Sequence, residues 1–130
     1  MDLKLIPRRE ERLAVARLMV DLLMFWRDAA QKSGIDREVF FVMPVIFSAS
    51  LSGRPITRAK IGMESGVPLT TVDRHLQTLI DAGYIAKDGK NYWVSDAALL
   101  NPRGDIDRGV KLIKNAYLQL KRLQNGALPS

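Results

Sequence analysis

The 130-residue sequence has no cysteine and a single histidine, His75. The first absence excludes a disulfide scaffold, thiolate zinc sites, iron–sulfur clusters and cysteine nucleophiles, and the second excludes a multi-histidine metal site. No cofactor and no metal is therefore expected. Apolar runs are short. The longest, Val39 to Phe47, is far below the roughly 20 residues a membrane-spanning helix needs, and it holds Pro44. Met1-Asp2-Leu3-Lys4 lacks the basic-then-apolar shape of a signal peptide, so a cytoplasmic protein with no membrane partner is expected. A glycine-rich phosphate loop and a Ser-His-Asp set are missing too. The acid pairs Glu10/Glu11 and Asp105/Asp107 fall at predicted helix starts, where the helix dipole accounts for them, so no enzyme is expected.

What the chain has is basic charge: 20 Lys and Arg against 14 Asp and Glu, a net +6. That balance favours polyanionic partners, nucleic acid before a membrane surface. The excess is spread along the sequence, so its meaning has to come from pattern.

Pro7-Arg8 reads as a helix start, with Pro7 in the first turn. Leu13, Ala16, Val20 and Leu23 then recur at helical spacing to a stop at Ser33-Gly34, and Leu18, Met19, Leu22 and Phe25 give a second apolar side. A helix apolar on two sides must be covered twice, which a short chain does poorly alone; a partner subunit follows. Asp36 can cap a second helix with Val39, Phe40, Met43, Ile46 and Phe47 buried, kinked or divided by Pro44. Pro55-Ile56 is too short to be more than one bridging strand residue. Thr57 can cap a helix over 58–65 ended by Gly66, and Pro68 opens another running to Ala82, stopped by Gly83. Val72, Leu76, Leu79 and Ile80 are its core stripe. Ile85-Ala86-Lys87, a tight Asp88-Gly89 and Tyr92-Trp93-Val94 predict a hairpin whose loop can extend to Lys90-Asn91. Asp96 to Leu100 forms a helical turn closed by Asn101-Pro102. A last helix runs from about Asp105 to Asn125, with Gly126 as its stop and Ile106, Val110, Ile113, Tyr117, Leu120 and Leu123 as its stripe.

Two short helices joined by a glycine turn and followed by a two-stranded ribbon make a winged helix-turn-helix. The expected fold is mainly α with a small β-hairpin wing: one domain over residues 1–130, with the DNA-binding part at 36–95 and dimerisation helices at 8–34 and 104–126. In such a unit the second helix lays its N-terminal turns in the major groove of double-stranded DNA. Burying Val72, Leu76 and Leu79 turns Leu69, Thr70, Thr71, Asp73, Arg74, Gln77 and Thr78 toward solvent. Thr70 and Thr71 can meet phosphate or a thymine methyl, Arg74 a guanine edge or a phosphate, and Gln77 adenine. Arg54, Arg58 and Lys60 lie where the bracing helix meets the backbone. Lys87 and Lys90 flank the ribbon tip, with Asn91 and Tyr92 as further polar contacts. Asp73 and Asp81 work against phosphate binding on their own surface.

The run from Ser65 to Ile85, with its glycine-apolar turn, Thr71-Val72-Asp73-Arg74, spaced leucines and Gly83-Tyr84-Ile85 ending, resembles the helix-turn-helix of MarR-type regulators. The resemblance implies a homodimeric transcription factor, a repressor, on a pseudo-palindromic site, with Thr70, Thr71 and Arg74 in the groove and Lys87 and Lys90 on the wing. The chain departs from that family at Pro68, where a serine cap is usual, and at His75, where an apolar residue is usual. Its short wing also lacks the Asp-x-Arg-Arg run. His75 reads as a half-buried histidine bonded to a neighbour, as one reaching a phosphate, or as a pH switch, since its ordinary pKa of about 6.5 lies near physiological pH. Phe25, Trp26, Phe40, Phe41 and Phe47 read as core or as the lining of a small-molecule effector pocket. The alternative function is a winged-helix protein–protein interaction module, supported by Asp73, Asp81 and the modest balance of 6 Lys and Arg against 4 Asp and Glu over residues 54–93. A plasmid- or replication-associated winged helix is a close variant.

Overall fold

The computed structural model describes residues 1–99 and 106–126. It is mainly helical, with one small antiparallel sheet. In chain order the elements are α1 (Arg9–Ser33), α2 (Arg37–Phe40), α3 (Met43–Leu51), β1 (Ile56–Thr57), α4 (Arg58–Ser65), α5 (Leu69–Asp81), β2 (Ile85–Asp88), β3 (Asn91–Val94), α6 (Asp96–Leu99) and α7 (Ile106–Gly126). They fall into two compact units, Met1–Ala29 with Gly104–Ser130, and Ala30–Arg103. No helix among the described residues is long and apolar enough to cross a membrane.

The second unit is built as its sequence signals dictate, with a few corrections. Asp36 caps α2 by accepting a hydrogen bond from the Glu38 amide, 3.4 Å. Pro44 divides the predicted second helix, because its missing amide proton is tolerated only in a first turn, and α3 restarts at Met43. Met43 and Ile46 are buried as expected. Val39, Phe40 and Phe47 are only half-buried, and Val42, at the break, is fully buried in their place. Thr57 Oγ1 accepts from the Lys60 amide and starts α4. Gly66 ends it with φ +73. A close approach locks α4 to α5: a Cβ on Gly62 would stand 3.0 Å from Leu69 Cδ2 and 3.4 Å from the Val67 carbonyl, so glycine lets the two helices meet there.

Two sheet expectations need correction. β1 is two residues long and is a true third strand: the order is β1-β3-β2, with Ile56 opposite Tyr92 and Thr57 opposite Asn91. The hairpin turn is Gly89-Lys90, one residue later than Asp88-Gly89, because Asp88 pairs with Asn91. Gly89 has φ +62 and Lys90 a negative φ, the arrangement of a type II′ turn with glycine first. An Asp88-Gly89 turn would have set Lys87 against Lys90. The observed register sets it against Tyr92 and joins buried Ile85 to buried Val94. At the open end of β3 the Val94 amide donates to Ser50 Oγ, 2.9 Å, tying the sheet to α3. The core of this unit is Val42, Ile46, Ile56, Ile61, Val72, Leu76, Leu79, Ile85 and Val94.

In the first unit α1 starts at Arg9. Arg8 is left-handed, φ +52, which leaves Pro7 outside the helix and not in its first turn, and Arg8 grips Glu11 instead. Asp28 on α1 accepts from Arg108 on α7 at 2.9 Å, and the Arg108 guanidinium lies 5.5 Å from the centre of the Phe25 ring. Both helices keep apolar rows outside. Val20 and Leu23 of the predicted α1 stripe are exposed, as are Ile106, Val110, Ile113 and Tyr117 on α7, and no described α7 residue is buried. Gly126 closes α7 without a left-handed turn. The predicted helix start at Asp105 and the Asn101-Pro102 stop lie outside the described residues.

Candidate nucleic-acid interface

Helix α5 packs on α2, α4 and β2, so one side of it is fixed inward. Val72, Leu76 and Leu79 are buried on that side, while Leu69, Thr70, Asp73, Arg74, Gln77 and Thr78 are exposed. Thr71 is the exception to the predicted outward set. It is half-buried, standing one turn before buried His75 on the same side of the helix. Pro68 starts the helix with no side-chain cap, so its first amides are open toward the surface. The connection back from α5 to β2 is tight. Gly83 is left-handed, the Tyr84 amide donates to the Leu79 carbonyl at 3.0 Å, and Ser95 holds both Gly83 and Tyr84, which seats the hairpin beside α5.

Several predicted site residues have partners within the chain. Arg58 at the start of α4 reaches across to Asp73 on α5 with two bonds, Nε to Oδ1 at 2.5 Å and Nη2 to Oδ2 at 3.0 Å. The guanidinium's hydrogen bonds hold the Asp73 carboxyl below its ordinary range, and the charge of nearby Lys87 adds to this; Arg58 is raised in turn. The acid that stood against phosphate binding is therefore neutralised in place, at the expense of Arg58's freedom. Lys87 Nζ sits 5.6 Å from the centre of the Tyr92 ring, and Tyr92 itself is buried and not an outward polar contact. The Gln77 amide donates to Asp81 Oδ1 at 2.8 Å, which takes up one of its two N–H donors. Thr78 Oγ1 donates to the Arg74 carbonyl, 3.0 Å. Thr70 and Arg74 on α5, and Lys90 at the turn, are exposed without such an internal bond among the described residues. Arg54 and Lys60 stand apart from this face and line a cleft with Ser48, Ser52 and Glu64.

The Arg58–Asp73 bridge and the Lys87–Tyr92 contact were invisible to sequence reading. The first joins residues 15 positions apart on different helices, and no periodicity encodes it. Of the aromatic set, Phe40 meets Tyr84 edge-on at 6.1 Å, Phe41 is exposed and Phe47 half-buried, while Phe25 lies against Arg108 in the other unit. No protein-family model and no curated protein matches the chain.

His75 is buried on the side of α5 that meets α2. Burial, and then the neighbouring Arg74, press its pKa below the ordinary value; Glu38 and Asp36 on the α2 side oppose this weakly. Its effect on stability has a definite sign. Below about pH 6.5 the unfolded chain binds a proton that the folded chain refuses, so stability falls as pH drops through that value. It levels off once the folded imidazole also protonates. The urea midpoint of unfolding is expected to decline between about pH 7.5 and about pH 5, before the carboxylates titrate. A His75→Leu variant should flatten that decline. An unchanged slope in the variant would assign it to other groups.

Proposed function

We propose that the chain is a double-stranded DNA-binding transcriptional regulator of the winged helix-turn-helix type, a repressor similar to MarR-type proteins, acting as a homodimer on a pseudo-palindromic site. The observation that carries this reading is the outward face of α5: Thr70 and Arg74 stand exposed beside the hairpin that bears Lys87 and Lys90, on a helix anchored by buried Val72, Leu76 and Leu79. In this reading α5 enters the major groove with α4 bracing it. Lys87 and Lys90 then meet the flanking backbone, in place of a minor-groove arginine. The apolar rows left outside on α1 and α7 support the second half of the reading, a twofold partner that covers them.

The test is an anisotropy titration against duplex DNA from the region upstream of the coding sequence, containing an inverted repeat with half-sites about one helical turn apart. Binding should weaken steeply with salt. If a dimer neutralises about six or more phosphates, affinity falls by about a thousandfold or more between about 50 mM and about 200 mM salt. Salt-insensitive or absent binding by a chain that sediments as a stable dimer would instead favour a protein-interaction module, in which the acids of α5 meet a protein.

A further inference from the structure

On the second unit a cleft of about 400 Å³ opens between the end of α3, the start of β1 and the outer side of α4. Ala49 and buried Ile56 line it together with Ser48 and Ser52, and exposed Arg54, Lys60 and Glu64 stand around it. Its size lies within the range of small-molecule sites. The charges around it are mixed. Arg58, two residues before Lys60 on the same helix, is spent on Asp73. Here Lys60 and Glu64 stand one helical turn apart, on a common face, and Arg54 faces the same cleft. Yet among the described residues none of the three forms an ion pair. Ser52 Oγ donates to the Ser48 carbonyl, 2.8 Å, which leaves its oxygen lone pairs free to accept.

Two unpaired cations, a hydroxyl oxygen that accepts and a carboxylate around one recess are complementary to a small anion that also carries hydrogen-bond donors. We infer that this cleft binds a free, phosphate-bearing small molecule with hydroxyl groups. Arg54 and Lys60 take the phosphate, the guanidinium through paired N–H donors, and the ammonium as a compact charge. Glu64 and Ser52 accept from the ligand's hydroxyls. The site stands apart from α5 and does not rest on the DNA-binding reading, although a DNA phosphate offers the same chemistry to the same two cations.

Glycerol phosphate, inorganic phosphate and glycerol are the probes, followed by calorimetry and thermal shift on the full chain without DNA. Glycerol phosphate is expected to bind saturably and to raise the melting temperature; inorganic phosphate should bind more weakly and glycerol not at all. Arg54→Gln and Lys60→Gln should each weaken glycerol phosphate about tenfold. Glu64→Gln should weaken glycerol phosphate while leaving inorganic phosphate bound at least as well. Arg37→Gln, on α2, is the control for net charge and should change nothing. The melting temperature of each variant without probe reports that it is folded. The inference is overturned by an unsaturable stabilisation shared by the Arg54→Gln/Lys60→Gln double variant, which is a general ionic effect. It is equally overturned if a duplex, and not glycerol phosphate, is the ligand that depends on Arg54 and Lys60.

Discussion

Leu79→Ala is expected to cost about 2–5 kcal/mol of stability and to lower the melting temperature of the second unit by roughly 10–30 °C. Leu79 is fully buried, on a helix held between α2, α4 and β2. Truncation removes methyl groups from a fully buried position, and a small sheet tied to α3 and to the end of α5 can collapse little to refill the space. The whole stability of a domain this size is about 5–15 kcal/mol, so the loss is a large share of it. Thermal unfolding of the full chain followed by circular dichroism measures the effect. Leu69→Ala is the contrast: Leu69 is 41% exposed, with its Cδ2 packed over Gly62 of α4, so its loss should be well below that of Leu79. Equal losses at the two positions would mean that α5 does not turn its valine and leucines inward, and the outward face would lose its basis.

Most of the second unit was legible because its signals are local. Asp36, Pro44, Thr57, Gly66 and Gly83 each act on the backbone within a few residues, and each sits where the elements begin, break or end. The period of Val72, Leu76 and Leu79 is likewise a property of one helix. The errors came where two local readings competed or where partners were distant. Asp88-Gly89 and Gly89-Lys90 both suit a two-residue turn. The choice between them was made by what each register sets face to face across the ribbon, Lys87 against Tyr92 and not against Lys90. Two-residue β1 has no pattern of its own; β3 makes it a strand by pairing with it. Thr71 reads as polar and outward as Thr70, yet it is half-buried, one turn before buried His75.

The candidate site was legible in outline and not in detail. Periodicity named the residues that face outward but could not say which of them are occupied. Arg58 with Asp73, and Gln77 with Asp81, are internal pairs, whereas Thr70, Arg74 and Lys90 are exposed with no such bond among the described residues. The placement of Asp73 against Arg58 also answers the objection raised by an acid on the candidate face: the carboxylate stays exposed, but its charge is met within 3.0 Å by the guanidinium.

Arg74→Ala therefore has the largest expected effect on the proposed activity. Arg74 is exposed on α5, one turn beyond Thr70, and is not engaged by either acid of that helix. If its guanidinium reads a base edge, the alanine variant should lose about 1–3 kcal/mol, roughly 5- to 150-fold, on the cognate inverted repeat. Scrambled DNA should lose little, so discrimination narrows. If it clamps a phosphate, cognate and scrambled duplexes should weaken alike, and the slope of log affinity against log salt should fall by about 1 for each half-site. Lys90→Ala calibrates that second pattern, because a turn lysine offers charge without base reading and should weaken all sequences together. Anisotropy titrations of the three proteins on both duplexes over a salt series separate the outcomes. Arg74→Ala binding both duplexes as the parent does, with the parent's salt slope, would remove α5 from the interface and with it the proposed function.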